Sequence, residues 1–170
     1  TPFFAVPILK SLYQNGYPVS VVYTQPPQKS QRGQKINKSP IQGISETLKI
    51  EYRIPGSLKN NKEEYNYLKK LNADIAIVVA YGQIIPKEYL TLVKKGFINL
   101  HPSYLPYNRG MHPYYWSIVD GNQAGTSIHF IDENIDEGKV LFQKKIDFDI
   151  TDTGDSLYEK NMEETITLFK

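Results

Sequence analysis

The chain has 170 residues, no cysteine, a formal net charge of +2 and 40% hydrophobic residues. This length fits one domain with a sizeable core, and the apolar and aromatic content excludes a disordered or collagen-like protein. The lack of cysteine excludes disulfides, thiolate nucleophiles and cysteine-ligated zinc, and the small charge gives no argument for nucleic acid by itself. No metal site is expected from three widely separated histidines. No apolar run approaches the ~18 residues of a membrane span, so a cytoplasmic protein is expected.

Helical and extended patterns alternate along most of the chain. Helices are predicted at 7–12, 41–48, 62–71, 87–93, 114–119 and 155–170, and strands at 19–24, 52–54, 73–80 and 97–101. The run 73–80 is the most hydrophobic and predicts a central parallel strand. Segments 126–132 and 139–148 alternate with period two, which predicts two late strands that are antiparallel to each other near the sheet edge. This order predicts an α/β fold, a three-layer sandwich with a mostly parallel sheet.

The polar segment 25–40 contains paired prolines and four cations, and it predicts a long exposed loop. The cations are Lys29, Arg32, Lys35 and Lys38. With Gly33 for flexibility, they could contact the phosphates of an RNA acceptor end. Four cations in a polar loop are also typical of a solvated surface, so both interpretations stay open.

Asn99 and His101 lie two residues apart at the end of a predicted strand, so both side chains point to one face. An amide N–H can donate to the oxygen of a carbonyl carbon that becomes tetrahedral, and an imidazole can move the proton of an attacking amine. A buried carboxylate from Asp136 could stabilise the charged imidazole and raise its pKa. The alternative is that these groups only satisfy backbone groups at the strand end while Asp136 caps a turn.

The surroundings of these residues resemble the folate-dependent formyltransferases. The signature of that family combines Asn-x-His, a Ser-Leu-Leu-Pro-like turn, Arg-Gly and a later Asp-x-Gly. Here these motifs are Asn99-Leu100-His101, Ser103-Tyr104-Leu105-Pro106, Arg109-Gly110 and Asp136-Glu137-Gly138. Further segments look like the catalytic domain of methionyl-tRNA formyltransferases, namely 1–7, 22–26, 32–35 and 79–82. The resemblance therefore covers nearly the whole chain.

The resemblance implies a Rossmann-like formyltransferase catalytic domain over 1–170, truncated at both ends. A first strand would precede Thr1, and we expect the isolated chain to be poorly stable without it. The implied reaction transfers a formyl group from 10-formyltetrahydrofolate to an amine. By resemblance, Asn99 would hold the formyl oxygen, and His101 would stabilise the tetrahedral intermediate and take part in proton transfer. Asp136 would keep His101 charged or position a water.

The same resemblance implies the binding residues. Those for folate would be Gln83, Ile84, Ile85, Ser103, Tyr104, Leu105 and Pro106, and those for the acceptor Lys29, Arg32, Lys35 and Arg109. In methionyl-tRNA formyltransferases a loop at the position of 25–40 enters the acceptor stem, which favours initiator tRNA. Segments 111–118 and 125–132 look more like formyltransferases acting on nucleotide-linked amino sugars. Initiator tRNA is therefore the expected acceptor, with a nucleotide-linked amino sugar as the alternative, and a nucleotide-binding module without catalysis is a further alternative.

Three other residues receive structural predictions. His129 is expected on the strand face opposite the core or near the rim of the cleft. Trp116 is expected in the core because of its helical spacing from Pro113. Asp132 suits either a second carboxylate or a simple turn cap.

Overall fold

A computed structural model describes residues 3–30 and 35–170, and for 28–30 and 35–36 it describes the backbone alone. The elements in chain order are α1 (Ala5–Gln14), β1 (Val22–Tyr23), β2 (Gln28–Ser30), β3 (Lys35–Asn37), α2 (Pro40–Leu48), β4 (Tyr52–Arg53), α3 (Lys62–Leu71), β5 (Ala76–Val79), α4 (Lys87–Leu90), β6 (Phe97–His101), α5 (Pro113–Asp120), β7 (Ala124–Phe130), β8 (Val140–Ile146) and α6 (Gly154–Phe169). Helices and strands are interleaved, which confirms the predicted α/β class.

Most elements agree with the sequence prediction, and α3 and β6 have the predicted bounds. The polar segment 25–40 is the main difference. Its β2 and β3 form a two-stranded antiparallel ladder, so the expected single loop is wrong for these residues. A ladder uses backbone N–H and C=O groups, and polar side chains do not prevent it.

Side-chain hydrogen bonds cap the first turns of α2, α3 and α6. The hydroxyl of Ser39 accepts a hydrogen bond from the Gln42 N–H, with Pro40 as the first residue of α2. The side chain of Asn61 accepts from the Glu64 N–H at the start of α3. At α6 the cap is a reciprocal pair between Thr153 and Ser156, each side chain accepting from the other residue's N–H.

The chain divides into two compact units, the first formed by Thr1–Ala73 and Val79–Lys94. In this unit the buried residues Ala5, Val6, Leu9 and Ile41 pack α1 against α2. β1 and β4 pair in parallel. The carboxylate of Glu64 on α3 accepts from Arg53 and from the hydroxyl of Tyr23, so it links the helix to both strands.

The second unit comprises Asp74–Val78 and Lys95–Lys170 and contains a sheet with the strand order β5-β6-β7-β8. The N–H of Ala76, which begins β5, donates to the carbonyl of Gly96, which directly precedes β6. These two strands therefore begin at the same end of the sheet and run parallel. β7 is antiparallel to β8, as the period-two pattern predicts, and it is also antiparallel to β6.

The prediction of a central strand at 73–80 is wrong for the sheet as described. β5 lies at one end of its strand order, and every residue in it is half-buried. The apolar character of a strand indicates that its two faces are covered. It does not indicate whether the strand has a neighbour on one edge or on both.

The helix α6 packs against β7 and β8. Leu157, Asn161 and Thr165 recur every four residues and are completely buried. The hydroxyl of Thr165 is hydrogen-bonded to that of Thr126 on β7, whose hydroxyl also reaches the carbonyl of His101. This support fixes the strand that carries the candidate site. In the part of the chain that the structure describes, no helix has the length and apolar character to cross a membrane.

Candidate active site

The end of β6 presents the two polar side chains that the sequence singles out. Ile98 and Leu100 are buried on one face, and Asn99 and His101 lie on the other. Opposite them on β7, Asn99 pairs with His129 and His101 pairs with Ser127. Because the strands are antiparallel, the four polar residues share one face of the sheet.

Asp136 reaches this face from the loop between β7 and β8. Its Oδ1 lies 3.3 Å from Nδ2 of Asn99, and its Oδ2 lies 3.6 Å from Nε2 of His101. The N–H of Gly110 donates to Oδ2 at 2.9 Å. The structure therefore brings together the amide, the imidazole and the carboxylate that the sequence predicts to meet.

Two features of the loop explain how Asp136 arrives there. Asp136 has a φ of 51°, a left-handed conformation that aspartate tolerates better than most residues. A Cβ at Gly138 would overlap the carbonyl oxygen of Phe130, so only glycine lets the loop lie this close to β7. The Asp-x-Gly motif thus combines a functional group with the backbone shape that positions it.

The environment sets the charge states of the cluster. Burial by itself would raise the pKa of the Asp136 carboxyl, but the contacts with His129, His101 and the Gly110 N–H hold that pKa at about 2. Burial also lowers the pKa of His101, and this effect outweighs the raising influence of Asp136 and of the hydrogen bond to the Asn108 carbonyl. Asp136 is therefore ionised at neutral pH, while His101 favours its neutral form.

This result corrects the expectation that Asp136 keeps His101 charged, and the alternative that Asp136 positions a water stays a prediction. The contribution of Asp136 has the predicted sign, but His101 is only 5% exposed and the loss of water dominates. Sequence spacing identifies the partners of a histidine. It does not predict how deeply the ring is buried, because burial depends on the packing of segments that are distant in the sequence.

His129, expected opposite the core or near the rim of the cleft, belongs to the cluster itself. It is 1% exposed, and its Nε2 lies 3.3 Å from Nδ2 of Asn99 and 3.4 Å from Oδ1 of Asp136. The predicted alternation puts His129 on the polar face of its strand. The sequence pattern does not predict the register of β6 and β7, which places His129 opposite Asn99.

The turn 103–106 is attached to the same sheet. The hydroxyl of Ser127 donates to the Ser103 carbonyl and accepts from the Leu105 N–H, and Gln143 donates to the Leu105 carbonyl. The side chains of Ser103 and Leu105 are buried, Tyr104 is half-buried and Pro106 is exposed. The Leu105–Pro106 peptide bond is cis. The predicted role of this turn in folate binding stays a prediction.

The other predicted folate residues, Gln83, Ile84 and Ile85, lie in the first unit. The side chain of Gln83 donates to the Gly56 carbonyl and to the side chain of Gln25. Ile84 is 78% exposed. An exposed isoleucine beside an anchored amide suits contact with a flat apolar ligand, and this role also stays a prediction.

The predicted acceptor-binding residues fall into two groups. Arg109 is half-exposed and forms an ion pair with Glu137 at 2.6 Å. Arg32 and the side chains of Lys29 and Lys35 lie outside the described part of the structure. The fourth cation of that segment, Lys38, is paired with Glu46 at 2.9 Å.

Two further sequence expectations are decided by the structure. The prediction that Trp116 lies in the core is wrong, because its side chain is 47% exposed. Helical spacing does not say which face of α5 is covered. Asp132 accepts a hydrogen bond from the Asn134 N–H and therefore acts as a turn cap. Among residues 3–30 and 35–170, no group of three or more histidine or acidic side chains is arranged to hold a metal ion.

Comparison with known proteins identifies the family. The family model described as formyl transferase matches residues 1–169. A methionyl-tRNA formyltransferase from Pelagibacter ubique is 62% identical over 141 residues, which are 82% of this chain and 46% of that protein. The chain spans about half the length of the curated relatives it matches.

Solved structures agree with the α/β fold. A phosphoribosylglycinamide formyltransferase from Bacillus halodurans has a TM-score of 0.79 at 20% identity, covering 97% of this chain and 84% of its own. A formyltransferase from Anoxybacillus kamchatkensis, solved with a UDP-linked formamido sugar and tetrahydrofolate, has a TM-score of 0.63 at 27% identity, covering 88% and 72%. With the family model spanning almost every residue, this chain belongs to the formyl transferase family.

Proposed function

We propose that the protein containing this chain transfers a formyl group from 10-formyltetrahydrofolate to an amine, with residues 1–170 as its catalytic domain. The observation that carries the proposal is the convergence of Asn99, His101 and Asp136, with each of the amide and imidazole groups within 3.6 Å of the carboxylate. An amide donor, a neutral imidazole and a fixed carboxylate are the groups that attack on a formyl carbon requires.

The reaction can be written with these groups in named roles. The amine nitrogen forms a bond to the formyl carbon, and the carbonyl π electrons move to oxygen. Asn99 Nδ2 donates a hydrogen bond to that oxygen in place of its 3.3 Å contact with Asp136 Oδ1, and this bond stabilises the negative charge where it develops. The bond between the formyl carbon and N10 of the folate then breaks. The products are the formylated amine and tetrahydrofolate.

One proton must move from the attacking nitrogen to N10 of the folate. His101 suits this role because its lowered pKa leaves the imidazole neutral and able to accept a proton at neutral pH. The ionised Asp136, 3.6 Å from His101 Nε2, stabilises the imidazolium that forms after the transfer. His101 therefore serves as a proton carrier between the two nitrogens.

A related structure and the turn 103–106 of this chain support folate as the formyl donor. The Anoxybacillus relative was solved with tetrahydrofolate. In this chain the Ser103 hydroxyl is buried and has no hydrogen-bond partner among the described residues, and Pro106, three residues later, is exposed. An exposed proline ring fits the flat face of a pterin.

Methionyl initiator tRNA is the acceptor that we favour. The support is the name of the Pelagibacter relative at 62% identity, together with the basic segment 25–40. The amino group of a nucleotide-linked sugar is the second candidate, because the Anoxybacillus relative was solved with a UDP-linked formamido sugar. The two acceptors need different recognition surfaces, but they present the same nucleophile to the formyl carbon.

A transfer assay with the full-length protein tests the proposal. The protein receives 10-formyltetrahydrofolate and, in parallel reactions, methionyl initiator tRNA, an amino-sugar nucleotide or no acceptor. Formyl-methionyl-tRNA is the expected product. A formylated sugar nucleotide would replace the favoured acceptor with the second one, and release of formate without any acceptor would indicate a hydrolase. No consumption of the donor in any reaction would overturn the proposal.

A further inference from the structure

His129 is a buried titratable side chain at the candidate site that the proposed reaction does not use. Its ring is 1% exposed, on the polar face of β7. Buried polar groups usually have a structural partner, and His129 has one in the Phe130 carbonyl, 2.8 Å from Nδ1. A carbonyl oxygen only accepts hydrogen bonds, so Nδ1 must carry a hydrogen.

That bond fixes the direction of the other ring nitrogen. Nε2 lies 3.3 Å from Asn99 Nδ2 and 3.4 Å from Asp136 Oδ1. Asn99 Nδ2 is in turn 3.3 Å from Asp136 Oδ1, so the three atoms form a nearly equilateral triangle. One edge of the ring is thus held by backbone, and the opposite edge faces both groups that the reaction needs.

The ring also restricts its neighbours sterically. His101 and His129 pack edge to face, with ring centroids 6.0 Å apart. Asn99 is a half-buried residue, and Asp136 lies on a loop. Among these residues His129 is the least exposed and is anchored to backbone on its own strand, so it is the fixed point against which the others are oriented.

We propose that His129 is a positioning residue whose Nε2 accepts a hydrogen bond from Asn99 Nδ2 and so holds the Asn99 amide in the arrangement needed for formyl transfer. The inference rests on the proposed function. It predicts that His129 acts on the rate of the chemical step, because a misplaced donor stabilises the transition state poorly. It also predicts little effect on folate binding, since His129 acts through Asn99.

Two substitutions in the full-length protein separate positioning from simple core packing. His129→Gln keeps a polar group that can reach the position of Nε2, and His129→Leu fills the space without one. We expect His129→Leu to lower kcat by about 10- to 100-fold with the KM for 10-formyltetrahydrofolate changed less than about twofold. His129→Gln should recover most of the lost kcat. Ile146→Val, a core change in the same unit, controls for a loss of stability without a loss of polar contact.

Nuclear magnetic resonance supplies a measurement that does not depend on turnover. With ¹⁵N-labelled histidine and asparagine, His129 should be protonated at Nδ1, and the Asn99 side-chain amide resonances should shift in His129→Leu but hardly in Ile146→Val. A bare Nδ1, unchanged Asn99 resonances, or a kcat per folded molecule that His129→Leu leaves unchanged would overturn the inference. If the wild type transfers no formyl group, the proposed function fails, and the resonances still decide whether His129 positions Asn99.

Discussion

Asn99 on β6 lies directly opposite His129 on β7, and Nδ2 of Asn99 is 3.3 Å from Nε2 of His129. This pairing places an amide, two imidazoles and the Asp136 carboxylate around one point of the sheet. Each member comes from a rigid strand or from a loop whose shape a glycine makes possible. The candidate site is therefore preorganised before any substrate binds, and the arrangement leads to specific expectations.

The carboxylate of Asp136 should be needed for its charge. Asp136→Asn keeps an oxygen that can accept from Gly110 but removes the anion beside His101. We expect kcat to fall by about 10²-fold, because the imidazolium formed in the reaction loses its counter-charge. The pKa of His101 should fall further, which moves the acidic limb of the pH–rate profile to lower pH.

Asp132→Asn is the matched control for that experiment. Asp132 lies four residues earlier, in the same loop, where it caps the Asn134 N–H. Its substitution should leave kcat and the pH profile close to those of the wild type. Equal losses in both variants would show that the loop, rather than the charge of Asp136, carries the effect.

Gly138 should tolerate no side chain. In Gly138→Ala the new Cβ overlaps the Phe130 carbonyl, so the loop or the strand must move. We expect a loss of about 1–3 kcal/mol in the free energy of unfolding, together with a lower kcat from a displaced Asp136. Urea denaturation and steady-state kinetics measure the two effects.

Gly43→Ala provides the opposite case within the same chain. Gly43 lies inside α2, and nothing is within 4 Å of its would-be Cβ. Alanine there should raise the free energy of unfolding by about 0.5–1 kcal/mol without changing kcat. If Gly138→Ala were as stable as the wild type, the close approach of loop and strand would be contradicted.

Stability should depend on pH through His101. Its pKa is lowered in the folded state, whereas an unfolded chain has the ordinary value of about 6.5. The unfolded state therefore binds the proton first as the pH falls. The contribution of neutral His101 is fully present above about pH 6.5 and is lost as the pH falls through the folded-state pKa.

Urea denaturation of the wild type and of His101→Gln at about pH 7.5 and about pH 5.5 measures this dependence. The free energy of unfolding should fall more steeply on acidification in the wild type than in the variant. Asp136 adds little in this window, because with a folded pKa of about 2 its contribution is lost only below the ordinary aspartate value. Equal slopes in the two proteins would argue against a lowered pKa for His101.

The basic segment should govern affinity for an RNA acceptor. Replacing Lys29, Arg32 and Lys35 by serine removes three cations, and the logarithm of affinity should then fall about two units less steeply with the logarithm of salt concentration. The KM for tRNA should rise while kcat at saturation is retained. Lys38→Ser is the control, since Lys38 is already paired with Glu46. An unaltered salt dependence in the triple variant would contradict a role of this segment in binding tRNA.

Local sequence determined much of this structure, and that part could be predicted. The bounds of α3 follow from its capping asparagine and the apolar residues on one face, and those of β6 from a short apolar run. The two-residue spacing of Asn99 and His101 suffices to place them on one face. The motif around Asp136 indicated a third group, although only by resemblance to a family.

The parts that could not be predicted depend on long-range packing. The position of His129 opposite Asn99 follows from a strand register that neither strand encodes alone. The lowered pKa of His101 follows from burial by segments far along the chain. The position of β5 at the end of its sheet is a matter of strand order, which the composition of β5 does not predict.

The central claim is that Asn99 and His101 act together on one reacting carbon. Its most direct measurement is the single-turnover rate of formyl transfer for the wild type, Asn99→Ala, His101→Gln and the double variant of the full-length protein. We expect each single change to slow transfer by about 10²- to 10³-fold, and the double change to cost at most about tenfold more than the larger single effect. Wild-type rates in either single variant, or a double effect equal to the product of the two, would contradict the account.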